Sequence, residues 1–127
     1  MAIRTELILR LQNTPGAAAK VCMFLSDERV NILAFQLESA GILRLLVDNP
    51  LHAALLLREQ RMQVEERDVL YTMVPNGPGA LGRLAKLLAD AKVNVEYLYC
   101  TAVDGDPMAT VVIGVPDAQK ASLASGI

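Results

Sequence analysis

The sequence predicts an α+β fold: two copies of one β-α-β-β-α-β unit, each an antiparallel sheet with helices on one face. Three observations lead there. Positions 13–31, "NTPGAAAKVCMFLSDERVN", and 76–94, "NGPGALGRLAKLLADAKVN", agree identically at eight of nineteen places at an offset of 63. The pairs are Asn13/Asn76, Pro15/Pro78, Gly16/Gly79, Ala17/Ala80, Leu25/Leu88, Asp27/Asp90, Val30/Val93 and Asn31/Asn94. Each copy is preceded by a short apolar run that ends in a turn signal and followed by two more runs joined by a hairpin turn. With 127 residues the chain has room for two small domains. Two copies of so long a unit indicate a duplicated domain and not a solenoid. The expected domains are residues 1–67 and 68–127.

The first strand is "ELILRLQ" in copy one, laid over "DVLYTMVP" (68–75) in copy two. A helix follows. Pro15 suits its first position, where no N–H is needed, and Thr14 supplies a cap; in copy two Gly77 takes the cap position before Pro78. Through about Asp27 this helix shows Ala18, Val21, Cys22 and Leu25 on one stripe, repeated as Leu81, Leu84, Ala85 and Leu88. Lys20, Arg83 and Lys86 face water. The second strand is "ILAFQLE" or "VEYLYCTA". The hairpins are "SAG" and "VDGDP", the latter holding a three-residue insertion of the kind loops tolerate. The third strand is "ILRLLV" or "MATVVIGV". After Asn49-Pro50 comes a helix over "LHAALLLREQR", then a fourth strand, "QVEE", which runs into Asp68 without a linker.

Copy two is shorter. Only "DAQKASLASGI" follows its third strand. That is enough for a short helix but not for a last strand, so the sheet edge is either open or filled by another segment. Helices on one face leave the other bare, and the third strands are apolar on both sides. Such surfaces call for partners: the expectation is that the two units pack on each other and that a second chain adds to the assembly.

Composition excludes several classes of function. Hydrophobic residues are 53% and charged residues 20%, with a net charge of −2. This is a core-building chain without the basic footprint of a nucleic-acid binder. Cys22 and Cys100 make no CxxC pair or disulfide framework and read as two buried thiols in a reducing cytosol. No signal-like or bilayer-spanning run appears, so the expectation is a soluble cytoplasmic protein with no membrane partner. His52 is the only histidine and lacks partners for a metal site or triad. The charged stretch 58–68 reads as a solvated helix end and edge strand, and "DGDP" (104–107) as a hairpin turn, not a calcium loop. No nucleophile–base pair, phosphate loop or nucleotide fingerprint is present, so no catalytic residue, metal or cofactor is expected.

The element order, the Asn-x-Pro-Gly-Ala opening after the first strand and the Val-Asn-Ile/Val start of the second together resemble the ACT domain, a ferredoxin-like unit. The whole chain is similar to two ACT domains in tandem, the second lacking its last strand. "NGPGALGRLAKLLADAKVNVEYLY" fits the family pattern throughout, whereas copy one departs at Ala18, where the family usually has Leu. The resemblance implies a non-catalytic regulatory module. Such modules bind a small effector, most often an amino acid, between paired domains near the loop after strand one. It also implies a homodimer and a partner enzyme of amino-acid metabolism.

Physical chemistry supports such a site independently. A helix N-terminus presents unpaired N–H groups and a partial positive charge, which suits a carboxylate. Gly16 and Gly79 let the backbone approach a ligand. Asn13 and Asn76 offer both donor and acceptor to a zwitterion, and Asn31 and Asn94 offer a second polar contact. The expected ligand-binding set is Asn76, Gly79, Ala80, Leu81 and Asn94, with Asn13, Gly16, Ala17 and Asn31 as the copy-one equivalents. Each also has a structural reading: turn bonding for Asn13 and Asn76, close packing for the glycines, helix termination for Asn31 and Asn94. The competing function is a structural or assembly subunit of an amino-acid-metabolism enzyme with no ligand of its own.

Overall fold

The computed structural model describes residues 2–127. It is α+β, with six strands and four helices: β1 (Ile3–Arg10), α1 (Ala17–Asp27), β2 (Ile32–Leu37), β3 (Ile42–Val47), α2 (Pro50–Glu59), β4 (Val64–Pro75), α3 (Ala80–Asp90), β5 (Tyr97–Ala102), β6 (Met108–Gly114) and α4 (Ala118–Ser125). The chain divides into two compact units. One is Thr5–Arg67, and the other joins residues 2–4 to Asp68–Ile127.

In the unit Thr5–Arg67 the strands lie in the order β2-β3-β1-β4. β3 pairs antiparallel with both β1 and β2, with Leu7 opposite Leu45 and Phe35 opposite Leu45. Alternation along the strands sends Leu7, Leu9, Leu43, Leu45 and Val47 to one face. There they meet Val21 and Leu25 of α1 and Ala53, Ala54 and Leu57 of α2 in a single core. Each buried Leu or Val contributes about 1.5–3 kcal/mol. On the other face the register sets Ile8 opposite Arg44. Glu6 is also fully buried on that side, with Arg44 Nε 4.0 Å from its carboxylate, and Arg44 reaches Glu38 as well.

The second unit repeats this arrangement. Its strands lie in the order β1-β4-β6-β5, with β6 antiparallel to β4 and β5. Leu70, Val74, Ala109, Val111 and Ile113 pack against Ala80, Leu84 and Leu88 of α3 and Ala118 and Ala121 of α4. The outer position beside β4, which a fourth strand of its own would fill, is held by the start of β1. Tyr71 donates its N–H to the Ala2 carbonyl at 2.6 Å, Arg4 lies over the Tyr71 ring at 4.8 Å, and Ile3 packs on this core. The edge left open in the sequence is thus filled by residues 2–4.

Other details depart from the sequence reading. "QVEE" and "DVLYTMVP" are not two strands but one, the 12-residue β4. Leu81 and Ala85 of the expected apolar stripe are exposed, and Ala80 is buried instead. Cys22 is half-buried and Cys100 exposed, so these are not two buried thiols. α2 starts as expected: Pro50 occupies the first turn and the Asn49 side chain accepts the His52 N–H at 3.3 Å. Among the described residues, no helix is long and apolar enough to cross a membrane.

Candidate functional site

Thr14-Pro15-Gly16-Ala17 is not the first turn of a helix. It is a type II turn, with proline at the second position and glycine at the third. Gly16 has φ 86° and ψ −4°, and Ala17 donates to the Thr14 carbonyl at 3.3 Å. The second unit repeats it closely: Gly79 has φ 85° and ψ −7°, and Ala80 donates to Gly77 at 3.3 Å. The glycines, not Thr14 or Gly77, hold the N-cap position, because only glycine takes this left-handed conformation without strain. Helical bonding starts with Lys20 N–H to Gly16 and Arg83 N–H to Gly79, both 3.0 Å. No side chain caps either helix. Among the described residues the backbone N–H groups of Leu81 and Gly82 therefore have no protein partner, and the helix tip keeps its anion preference.

Each tip opens on a cleft. In the second unit a hollow of ≈ 220 Å³ is lined by Asn76, Gly77, Gly79, Ala80, Leu81 and Gly82, with Val74, Pro75, Cys100, Ala102 and Ala109. In the first unit the matching hollow, ≈ 260 Å³, is lined by Asn13, Thr14, Gly16, Ala17, Ala18 and Ala19, with Leu11, Gln12, Leu37, Glu38 and Gly41. Both are smaller than the pockets that take drug-sized ligands. The structure therefore brings together four of the five expected residues of copy two and three of the four of copy one.

Asn31 and Asn94 are not part of these clefts. Each follows the far end of an 11-residue helix, about 16 Å from its tip at 1.5 Å per residue. Nor do they terminate the helices. Arg29 and Lys92, both at φ 59°, do so. Arg29 and Val30 donate to Ser26 and Leu25, and Lys92 and Val93 to Ala89 and Leu88, in the Schellman pattern. The backbone of Asn31 joins the end of β3, donating to the Asp48 carboxylate and accepting the Asp48 N–H, both 3.1 Å.

The two loop asparagines also differ. Asn76 donates both side-chain hydrogens, to the carbonyls of Val103 at 3.0 Å and Asp106 at 2.8 Å, and its N–H goes to Pro107 at 2.9 Å. It clamps the β5–β6 hairpin to the helix tip. Among the described residues Asn13 makes no side-chain hydrogen bond. Cys100 and Leu37, which flank the clefts from β5 and β2, are not among the site residues the sequence singles out. The repeat holds a signal for them, because they stand at the same offset of 63.

Residues 70–124 match the family model of the AHAS small subunit-like ACT domain, over nearly the whole second unit. The second unit matches an ACT domain. Protein BT0572 from Bacteroides thetaiotaomicron is similar over 97% of this chain and 86% of its own, with 29% identity and a TM-score of 0.88. Two other structures of similar fold are the regulatory subunits of aspartate kinase from Thermus thermophilus, in its ligand-free form, and Thermus flavus. The first has 18% identity and a TM-score of 0.69 over 98% of this chain and 92% of that one; the second has 17% and 0.67 over 99% and 95%. No curated protein matches.

Proposed function

We infer that this protein is an ACT-domain regulatory protein without catalysis of its own, and that it binds a small effector, most directly an amino acid, at the glycine turns opening α1 and α3. The observation carrying this reading is the doubled, uncapped helix tip, each facing a cleft of amino-acid size. The effector carboxylate sits on the tip N–H groups of Leu81 and Gly82, and of Ala18 and Ala19 in copy one. Gly79 and Gly16 shape the turn, Asn76 and Asn13 form the rim, and Ala80, Leu81 and Ala17 the wall. Asn94 and Asn31 contact the effector only if a second domain brings them to a tip.

Effector binding becomes a signal by favouring the arrangement in which the site is best formed. The readout is association with a second copy or with an enzyme of amino-acid metabolism, as the likeness to aspartate kinase regulatory subunits suggests. A homodimer suits the edge strand β2, where Leu33, Phe35 and Leu37 are exposed. A calorimetric screen of the common amino acids tests the reading. Saturable heat with one or a few of them is expected, and silence with all at millimolar concentration overturns it. The second reading, an assembly subunit without a ligand, draws on Asn76, whose donors serve the hairpin. It predicts a fixed partner that is indifferent to amino acids.

A further inference from the structure

The unit Thr5–Arg67 holds a hollow larger than the one beside Asn13. It lies on the other side of the Gly16 turn and holds ≈ 520 Å³, inside the range of small-molecule sites. Leu11, Val21, Phe24 and Met62 give it an apolar lining, and Arg10 and Lys20 reach it from the end of β1 and the first turn of α1. Among the described residues neither cation is paired with an acid. No aspartate or glutamate lines the hollow.

Two unengaged cations over an apolar wall suit a carboxylate with a hydrocarbon tail. The lack of any acid leaves an α-ammonium without a charged partner, and burying it there is unfavourable. The second unit lacks this chemistry. At the offset of 63, Arg10 becomes Met73 and Gln12 becomes Pro75, while Lys20 becomes Arg83.

We propose that this hollow is a second ligand site, confined to the first unit, for a short apolar carboxylate without an ammonium group, such as a 2-oxo acid. It does not rest on the amino-acid reading: the hollow shares the Thr14–Ala17 turn with the effector cleft, but the ligand charge differs, and Arg10, Lys20 and Met62 line this hollow and not that cleft.

The experiment is a titration of the full chain followed by amide NMR. The probes are α-ketoisocaproate, then leucine, which differs from it by bearing an ammonium, then inorganic phosphate. The oxo acid is expected to shift Gly16, Ala17, Lys20 and Met62 saturably, and leucine and phosphate to leave Met62 in place. Arg10→Met, which installs the second unit's residue, weakens oxo-acid binding roughly tenfold to a hundredfold. Lys20→Arg, also the second unit's residue, retains it. Three results overturn the proposal: no saturable shift with the oxo acid, equal binding of leucine at Met62, or unchanged affinity in Arg10→Met. If phosphate displaces the oxo acid with equal affinity, the apolar wall plays no part and the proposal also fails.

Discussion

The two units share a fold and a helix-opening turn, yet they differ at the positions that surround those features. Glu6 and Val69 stand at the same point of the repeat and both are fully buried. One unit solves that position with an acid beside Arg44, the other with an apolar side chain. Gly41 and Gly105 both turn their hairpins at left-handed φ, 85° and 84°, but a methyl group on Gly41 would overlap the Leu11 carbonyl oxygen, whereas Gly105 faces open space. Asn76 is a bonded clamp and Asn13 is not. A duplicated backbone therefore fixes conformation, while side-chain roles diverge wherever a neighbouring loop changes.

The largest contrast between the units is expected at the hairpins. Gly41→Ala combines left-handed strain with overlap against backbone and is expected to lose about 3–5 kcal/mol. Gly105→Ala loses about 1 kcal/mol from strain alone. Denaturant midpoints of the two variants check this, and equal losses would refute the difference.

The buried acid is next. Glu6→Val installs the second unit's residue but leaves Arg44 half-served, at a cost of about 2–3 kcal/mol, reduced because Glu38 still accepts from Arg44. Glu6→Val with Arg44→Thr, the residue matching Thr110, recovers most of that loss, since no buried charge is then left without its partner. A double-mutant cycle on urea midpoints measures it, and additive losses contradict the pairing.

A smaller contrast lies at the loop asparagines. Asn76→Ala should cost about 1 kcal/mol and loosen the 103–107 hairpin in hydrogen exchange, whereas Asn13→Ala stays within about 0.5 kcal/mol.

Much of the fold is legible in the sequence because the repeat preserves it: element order, both hairpins, the Asn49-Pro50 helix start and the short last helix. The departures have physical causes. Pro15-Gly16 satisfies both a helix first turn and a type II turn, and only the φ of Gly16 decides between them. The filled edge of the second unit depends on pairing between residues 2–4 and Tyr71, a long-range contact that no local pattern encodes. Asn31 and Asn94 recur with the glycine turns, but helix length places them at the far end of α1 and α3 from their own tips. Arg29 and Lys92 end their helices in a conformation where glycine or asparagine is the usual signal.

If the uncapped tips of α1 and α3 receive a carboxylate, a negative side chain placed there must expel it. Gly82 lies in the first turn of α3, and a methyl group added to it would meet nothing within 4 Å, so Gly82→Glu sets a negative charge at the tip without a clash. Replacing a helical glycine and complementing the helix dipole stabilise the fold by about 1 kcal/mol, while the same charge repels a carboxylate guest. The decisive experiment is calorimetric titration of the best-binding amino acid into Gly82→Glu and into Ala19→Glu, its copy-one counterpart, alongside thermal unfolding. The double variant is expected to fold at least as stably as the parent and to bind no amino acid. Undiminished binding in that stable double variant would show that the tips are not where the carboxylate sits.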